Sequence, residues 1–434
     1  MKKRIVALLL AFVFILTICV SILPASSSAA AKQVTIRITW WGNQIRHDRT
    51  QKVLEMYKKN VNRNVKFVAE FGSWSGYWDK LATQAAAKNL PDVIQMDYAY
   101  IGQYVSKGLL ADMLPFTKTR ALNLKDIDQV HLVGGTIDGK LYGISLGTNS
   151  LSFYYDPAIV QKAGVKIPSD GNWTWDDYKN IAKKIYQETK VKSPLNLFTD
   201  PKFLLEYNVR QVGKSLYNKD GSALGFTDEK LIIETFNVNL DLIKANVATK
   251  PQEVPLNASV EEDFVALGKN WCGIGWSNYF VSLANVAKRP LEITLLPKMK
   301  SGKRPGLYLK PSMFFSISEN SKVKDEAAKF INYFVNDVEV NKVLLAERGV
   351  PISNKVRTEL KKIVDKATQQ TFDYIALVEK NCSPIDPPEP AGAAEVTKAF
   401  KDINDQVLYL QMKPEAAARQ FLRQANLILA KNKK

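Results

Sequence analysis

The first candidate for chemistry in this 434-residue chain is Gly143-Ile144-Ser145-Leu146-Gly147, which has the Gly-x-Ser-x-Gly spacing of a hydrolase nucleophile elbow. That device needs a strand, a sharp turn and a helix around the serine, with an acid and a histidine later in the chain. Leu151 to Tyr155 follows and reads as a strand, and the two histidines, His47 and His131, both precede Ser145. A serine triad is therefore excluded. There is no Walker loop, no His-Glu-x-x-His and no Gly-x-Gly-x-x-Gly, since Gly273-Ile274-Gly275 lacks its third glycine. Three cysteines (Cys19, Cys272, Cys382) and two histidines supply neither a disulfide scaffold nor a zinc set, so neither metal nor cofactor is expected. A carboxylate pair for glycoside hydrolysis stays open, because its pairing is spatial.

What stands out instead is aromatic residues mixed with amides and charges at strand ends. Trp40-Trp41-Gly42-Asn43-Gln44-Ile45-Arg46-His47, Asp97-Tyr98-Ala99-Tyr100 and Trp276-Ser277-Asn278-Tyr279 each follow an apolar, strand-like run. In α/β sheets, ligands sit beyond the carboxyl ends of the strands. A sugar suits these groups: its C–H face stacks on a flat ring, and its hydroxyls need amide, carboxylate and guanidinium partners. Trp40 alternates with Val34, Ile36 and Ile38 and reads as core, which leaves Trp41 to the following loop. Trp74 stands between packing and ligand contact, and Arg46 and His47 between ligand contact and a solvated loop. Trp173 and Trp175 flank Thr174, a helix N-cap, and read as structural.

The elements that position these residues alternate. Val34 to Trp40 has the period of a strand, and Thr50 to Asn60 that of a helix. Asn64 to Phe71 reads as a strand, Gly76 to Asn89 as a helix, Asp92 to Met96 as a short buried strand and Ile101 to Lys107 as a helix. Such alternation predicts an α/β fold on a largely parallel sheet. A second region begins with the strand Leu151 to Tyr155 and the helix Trp175 to Thr189. It continues with a strand over Leu291 to Leu296 and a helix over Asp325 to Asn336, and is helical throughout from Ala391. Ser383 to Pro390 is a Pro-rich loop, too short to separate domains.

Length predicts two or three domains, and 46% hydrophobic and 24% charged residues are ordinary for a globular chain. Lys and Arg number 60 against 43 Asp and Glu, a net charge of +17. These cations are interleaved with acids at helical spacing, as in Lys179, Lys183, Lys184 and Glu188, which reads as a solvated basic face and not as a nucleic-acid surface. Met1-Lys2-Lys3-Arg4, the apolar run Ile5 to Leu23 and the small residues Ala25 to Ala31 read as a secretory signal cleaved near Ala31. The alternatives are an uncleaved anchor and a lipid anchor on Cys19, the latter weakened by Ile18, where a small residue is wanted. The remainder is expected to work outside the cytoplasm, where Cys272 and Cys382 have the option of pairing.

Residues over nearly the whole mature chain resemble a family. They are Asp138-Gly139-Lys140-Leu141-Tyr142-Gly143-Ile144, Leu151 to Asp156, Ala163-Gly164, Thr174-Trp175-Asp176-Asp177-Tyr178, Pro91 to Asp97 with Gly108-Leu109-Leu110, Gly268 to Trp276, and Gly349-Val350-Pro351-Ile352. Together these are similar to the family 1 extracellular solute-binding proteins of sugar ABC importers, which include the maltose-binding proteins. The resemblance implies a two-lobed, periplasmic-binding-protein-like α/β fold with a ligand cleft between the lobes and a multi-strand hinge. Lobe 1 is expected over 32–146 plus about 297–346, and lobe 2 over 147–296 plus about 347–434. It further implies a monomer peripheral to the membrane, extracellular, at the cell surface or periplasmic, that binds an oligosaccharide without catalysis and presents it to permease subunits. Carried over residue by residue, Trp41, Asn43, Asp97, Tyr98, Asn149 and Trp276 fall at sugar-contacting positions, and Arg46, His47 and Trp74 join them as ligand candidates. Maltose-type members carry a stacking aromatic where this chain has Ser383 to Pro390. Its absence argues against simple maltodextrin specificity, with Asp386 or Glu389 as alternative hydroxyl partners. The Trp-Trp-Gly, Arg46-His47 and Trp74-Ser75-Gly76-Tyr77 arrangement is closer to importers of plant-wall oligosaccharides. A secreted glycoside hydrolase and a receptor for a non-sugar solute are the competing readings.

Overall fold

The computed structural model describes residues 33–195, 200–250, 253 and 259–432. The secretory-signal expectation lies outside the described residues. The chain opens with β1 (Val34–Trp41), α1 (Gln44–Asn60), β2 (Val65–Gly72), α2 (Tyr77–Ala86), β3 (Val93–Met96) and α3 (Tyr98–Ser106). Short β4 (Ile144–Ser145) and β5 (Thr148–Asn149) lead into β6 (Leu151–Tyr155), followed by α4 (Trp175–Thr189), α5 (Lys202–Gln211) and α6 (Glu229–Lys244). Next come β7 (Cys272–Trp276), α7 (Ser277–Ala287), β8 (Glu292–Thr294), β9 (Lys310–Pro311) and β10 (Phe314–Ile317). Helices close the chain: α8 (Lys324–Asn336), α9 (Val338–Leu344), α10 (Asn354–Leu360), α11 (Lys366–Glu379), α12 (Ala393–Leu408) and α13 (Pro414–Asn432). No described helix is long and apolar enough to cross a membrane.

One sheet runs β2-β1-β3-β10-β4, with β1 parallel to β2 and β3, and β10 antiparallel to β3 and β4. The parallel expectation therefore holds for the first βαβ units. It fails in the second region, where β6 pairs antiparallel with both β7 and β8. Short apolar runs such as Phe153 or Ile274 reveal burial but not the direction of the partner strand. The helical end is also interrupted, at Tyr409–Lys413, between α12 and α13.

Two large apolar cores account for the two lobes. Ile36, Ile38, Trp40, Val93, Ile94, Phe314, Phe315, Phe330 and Ile331 pack together around the first sheet. Phe153, Tyr178, Phe236, Trp271, Ile375, Phe400 and Phe421 belong to the second core, and Tyr154, Phe280 and Leu283 form a small cluster beside it. Met299, Leu307 and Leu309, expected in lobe 1, pack in the second core. The backbone explains this: Lys298 exchanges hydrogen bonds with Trp173 and Trp175, and the Gly306 carbonyl accepts from buried Arg210 at 2.8 Å. The chain thus returns to the first core only between Leu309 and Met313.

Three segments cross between the cores and bond to one another. Leu146 N–H donates to Met313, Ser312 N–H to Gly147, and Thr148 exchanges two bonds with Val350, at 2.9 and 3.1 Å. Gly147 is required by close approach: a Cβ there would lie 2.3 Å from the Arg348 carbonyl oxygen. Ser145, in the elbow-like motif, is buried and donates to the Gly147 carbonyl at 2.7 Å. A strand and not a helix follows it, so its hydroxyl closes a turn in the hinge.

Candidate ligand-binding cleft

A cavity of about 610 Å³ lies against the crossing segments and takes its walls from both lobes. The first lobe contributes Arg46, Asp97 and Met313, and the second Trp276, Asn278, Ser282, Thr371 and Phe372. Asn149, Lys310 and the run Leu345 to Val350 supply the floor. Trp276 owes its position to a strand that ends where a helix begins: it closes β7, and α7 starts at the next residue. Phe203 meets its ring edge-on at 5.5 Å, and the Lys310 ammonium lies 4.9 Å from its centroid.

Charge in the floor is organised around Glu347. Arg46 reaches it at 2.8 Å and Arg348 at 3.3 Å. Arg348 also donates to Thr50 Oγ1 at 2.8 Å and Gln95 Oε1 at 3.3 Å and lies over the Phe334 ring. Burial pulls its guanidinium down to about 9, opposed by Glu347, so it remains charged at neutral pH. Asp97 caps α3, accepting from Ala99 N–H at 2.8 Å, while its carboxylate borders the cavity.

The candidate residues do not all converge. Arg46, Asp97, Asn149 and Trp276 line the cavity; Trp41, Asn43, His47, Trp74 and Tyr98 do not. Trp41 is the last residue of β1 and not a loop residue, and it is buried. It packs against Trp74, Tyr77 and Trp78 at 5.0, 5.1 and 5.7 Å, so its ring is committed to a cluster in lobe 1. Trp74 is the exposed rim of that cluster, at 47% exposure. Asn43 is the N-cap of α1, its side-chain oxygen accepting from Arg46 N–H at 3.0 Å. The helix therefore starts six residues before the expected Thr50 and turns His47 inward. His47 Nδ1 accepts from Trp40 Nε1–H at 3.1 Å, and its ring lies 4.5 Å from Phe71. Burial lowers the His47 pKa, which suits a neutral acceptor.

Tyr98 spans the lobes: its hydroxyl donates to the Asp386 carbonyl at 2.5 Å. Asp386 itself pairs with Arg210 at 2.7 Å and accepts from Ser215 at 3.0 Å, and Glu389 pairs with Lys202. Both acids proposed as sugar partners in the Pro-rich loop are therefore engaged within lobe 2. Trp173 and Trp175 are structural, donating to the Leu295 carbonyl and to Asn208 Oδ1. Cys272 and Cys382 are free thiols.

The charged cavity residues that sequence reasoning missed are Lys310, Glu347 and Arg348. The last two immediately precede Gly349-Val350-Pro351-Ile352, a crossing segment visible in the sequence, but nothing in their spacing shows that they face Arg46. Lys310 lies within the stretch, about 297–346, that the sequence assigns to lobe 1.

Two α/β lobes, three crossing segments and a cavity walled by both lobes define a solute-binding protein. The chain matches bacterial extracellular solute-binding proteins over residues 52–371 and belongs to that family of binding proteins. A family 1 extracellular solute-binding protein from Alicyclobacillus acidocaldarius superposes with a TM-score of 0.84 at 31% identity, covering 92% of this chain and 99% of that one. The arabinooligosaccharide-binding protein of Bacillus subtilis is 27% identical over 198 residues, 44% of this chain and 43% of that protein. A periplasmic oligogalacturonide binding protein from Yersinia enterocolitica shares the fold, with a TM-score of 0.75 at 23% identity over 92% of this chain and all of that one. The chain spans half or less of the length of the lactose- and arabinooligosaccharide-binding relatives it matches.

Proposed function

We propose that this chain is a non-catalytic extracellular receptor that holds an oligosaccharide between its lobes and delivers it to an ABC importer. The observation that carries the reading is Trp276, a flat apolar ring at the cavity wall, set among Asn149, Asn278, Ser282 and Asp97. A pyranose stacks on such a ring while amides, hydroxyls and a carboxylate meet its hydroxyls. The arabinooligosaccharide-binding relative and the oligogalacturonide-binding neighbour support a plant-wall source. In this reading Arg46, Asp97, Asn149 and Trp276 contact ligand, and Trp41, Asn43, His47 and Tyr98 support the frame around it.

Ligand touching both walls stabilises the closed arrangement of the lobes, a population shift that permease subunits read. The receptor acts as a monomer, peripheral to the membrane, at the cell surface or in a periplasm. The hydrolase alternative would need an acid and a base or nucleophile flanking the sugar bond. The cavity carboxylates are Asp97, a helix cap, and Glu347, whose two oxygens are taken up by Arg46 and Arg348.

A thermal-shift panel of arabino-, xylo-, cello-, malto- and galacturono-oligosaccharides, with spermidine as a non-sugar control, tests the reading. A ligand at 100 times its Kd adds about 2.7 kcal/mol and raises Tm by a few degrees. One sugar series should shift Tm and be recovered intact. A shift with spermidine alone, or cleaved sugar, overturns the proposal.

A further inference from the structure

Lys310 is the cavity's unbalanced charge. Arg46 and Arg348 share Glu347, whereas the Lys310 ammonium has no carboxylate partner among the described residues and sits 4.9 Å from the Trp276 ring centroid. Three cations thus line the cavity against two carboxylates. The β5–β9 pairing fixes the Lys310 backbone opposite Asn149 in the hinge, so the ammonium stays at the floor of the cavity. The ammonium lies over the Trp276 ring, so a sugar that stacks on that face takes its place and meets it at the sugar's edge. A neutral sugar would give it only hydroxyl acceptors. A carboxylate on the ring would give it a charge-assisted bond in a partly desolvated cleft.

We infer that the cleft selects acidic oligosaccharides, with Lys310 pairing to a uronate carboxylate on the sugar that stacks on Trp276. This rests on the reading of the cleft as a sugar site and narrows its ligand to uronate-bearing chains. Asp97, the other carboxylate of the cavity, is engaged as the N-cap of α3 and makes no ion pair with Lys310.

The test is titration calorimetry of the full protein with trigalacturonate, its fully methyl-esterified form, a glucuronate-bearing xylo-oligosaccharide and neutral arabino- and xylo-oligosaccharides. At least one acidic sugar should bind ten-fold or more tightly than its neutral counterpart, and that preference should shrink between low and high salt. Lys310→Gln should weaken the acidic ligand far more than its neutral counterpart and so remove most of the preference, and Lys310→Arg should keep it. Equal affinity for acidic and neutral forms, or a preference that survives Lys310→Gln, overturns the inference. Binding of neutral sugars alone overturns it while the receptor reading stands; no binding by any sugar overturns both.

Discussion

Replacing Tyr98 by phenylalanine removes one atom and one inter-lobe bond. The hydroxyl donates from the start of α3 to the Asp386 carbonyl in the Pro-rich loop, which Arg210 holds through Ser383, Pro384 and Asp386. With the lobes apart, water satisfies both groups, so the bond counts toward closure alone. A hydrogen bond of this kind contributes about 1 kcal/mol net, within a range of about 0.5–1.5. Its loss lowers the closing equilibrium about five-fold, and Kd rises by the same factor when the open form dominates the free protein. Tyr98 does not line the cavity, so the penalty should be equal for every sugar that binds. Calorimetry with two unrelated ligands of Tyr98→Phe reads the factor, and the Tm of the ligand-free protein should hardly move. A Kd unchanged within two-fold, or a loss confined to one sugar, refutes the reasoning.

Trp276→Ala should weaken sugar binding by about 1–3 kcal/mol in calorimetry with little change in Tm, as for a truncated stacking residue at an interface. Trp41→Ala should instead cost about 3–5 kcal/mol in denaturant unfolding, because it empties a site walled by Trp74, Tyr77 and Trp78. His47 has its pKa lowered below the usual 6.5, chiefly by burial, so its contribution to stability is present above about pH 6.5 and is lost as pH falls through the lower folded value. The Tm of the wild type should decline through that window, and His47→Gln, which keeps an acceptor for Trp40, should flatten the decline. Burial pushes the Cys272 thiol well up, and Cys272 and Cys382 are unpaired, so reductant should leave Tm unchanged and Cys272 should resist thiol reagents until unfolding.

The legible part of this chain was whatever a single element encodes. Trp40 alternates with Ile36 and Ile38, and all three are buried. The Thr174–Asp177 capping box opens α4 where expected, and Ala328, Ile331 and Phe334 face inward on α8. The first residues of α1 were missed because Gln44-Ile45-Arg46-His47 carries no apolar stripe; the available signal was Asn43, a strong N-cap type three residues ahead of Arg46. That one misread boundary moved two candidates, since a helix beginning at Gln44 carries His47 into the core and fixes Asn43 as a cap. The direction of β7 and β8 and the meeting of Arg46 with Glu347, 301 positions apart, depend on tertiary pairing that no local period records.

Cavity and hinge are built from the same residues, which gives ligand binding a direct route to lobe geometry. Glu347 and Arg348 line the cavity three and two residues before Val350, which bonds to Thr148 in the neighbouring crossing segment. Arg348 is tied to Thr50 and Gln95 in the first lobe, so the third crossing is anchored firmly on that side. Lys310 and Asn149, the paired residues of β9 and β5, supply the other two crossings and face the same space. A ligand that draws on Asn149, Lys310 and the Glu347 cluster therefore touches all three crossings as well as Trp276 in the second lobe. Any rotation about the hinge changes those distances together, so the contacts form fully in one lobe arrangement only. That differential contact is what a ligand needs to shift a two-state equilibrium, and here it arises from placing the cavity directly on the connecting strands.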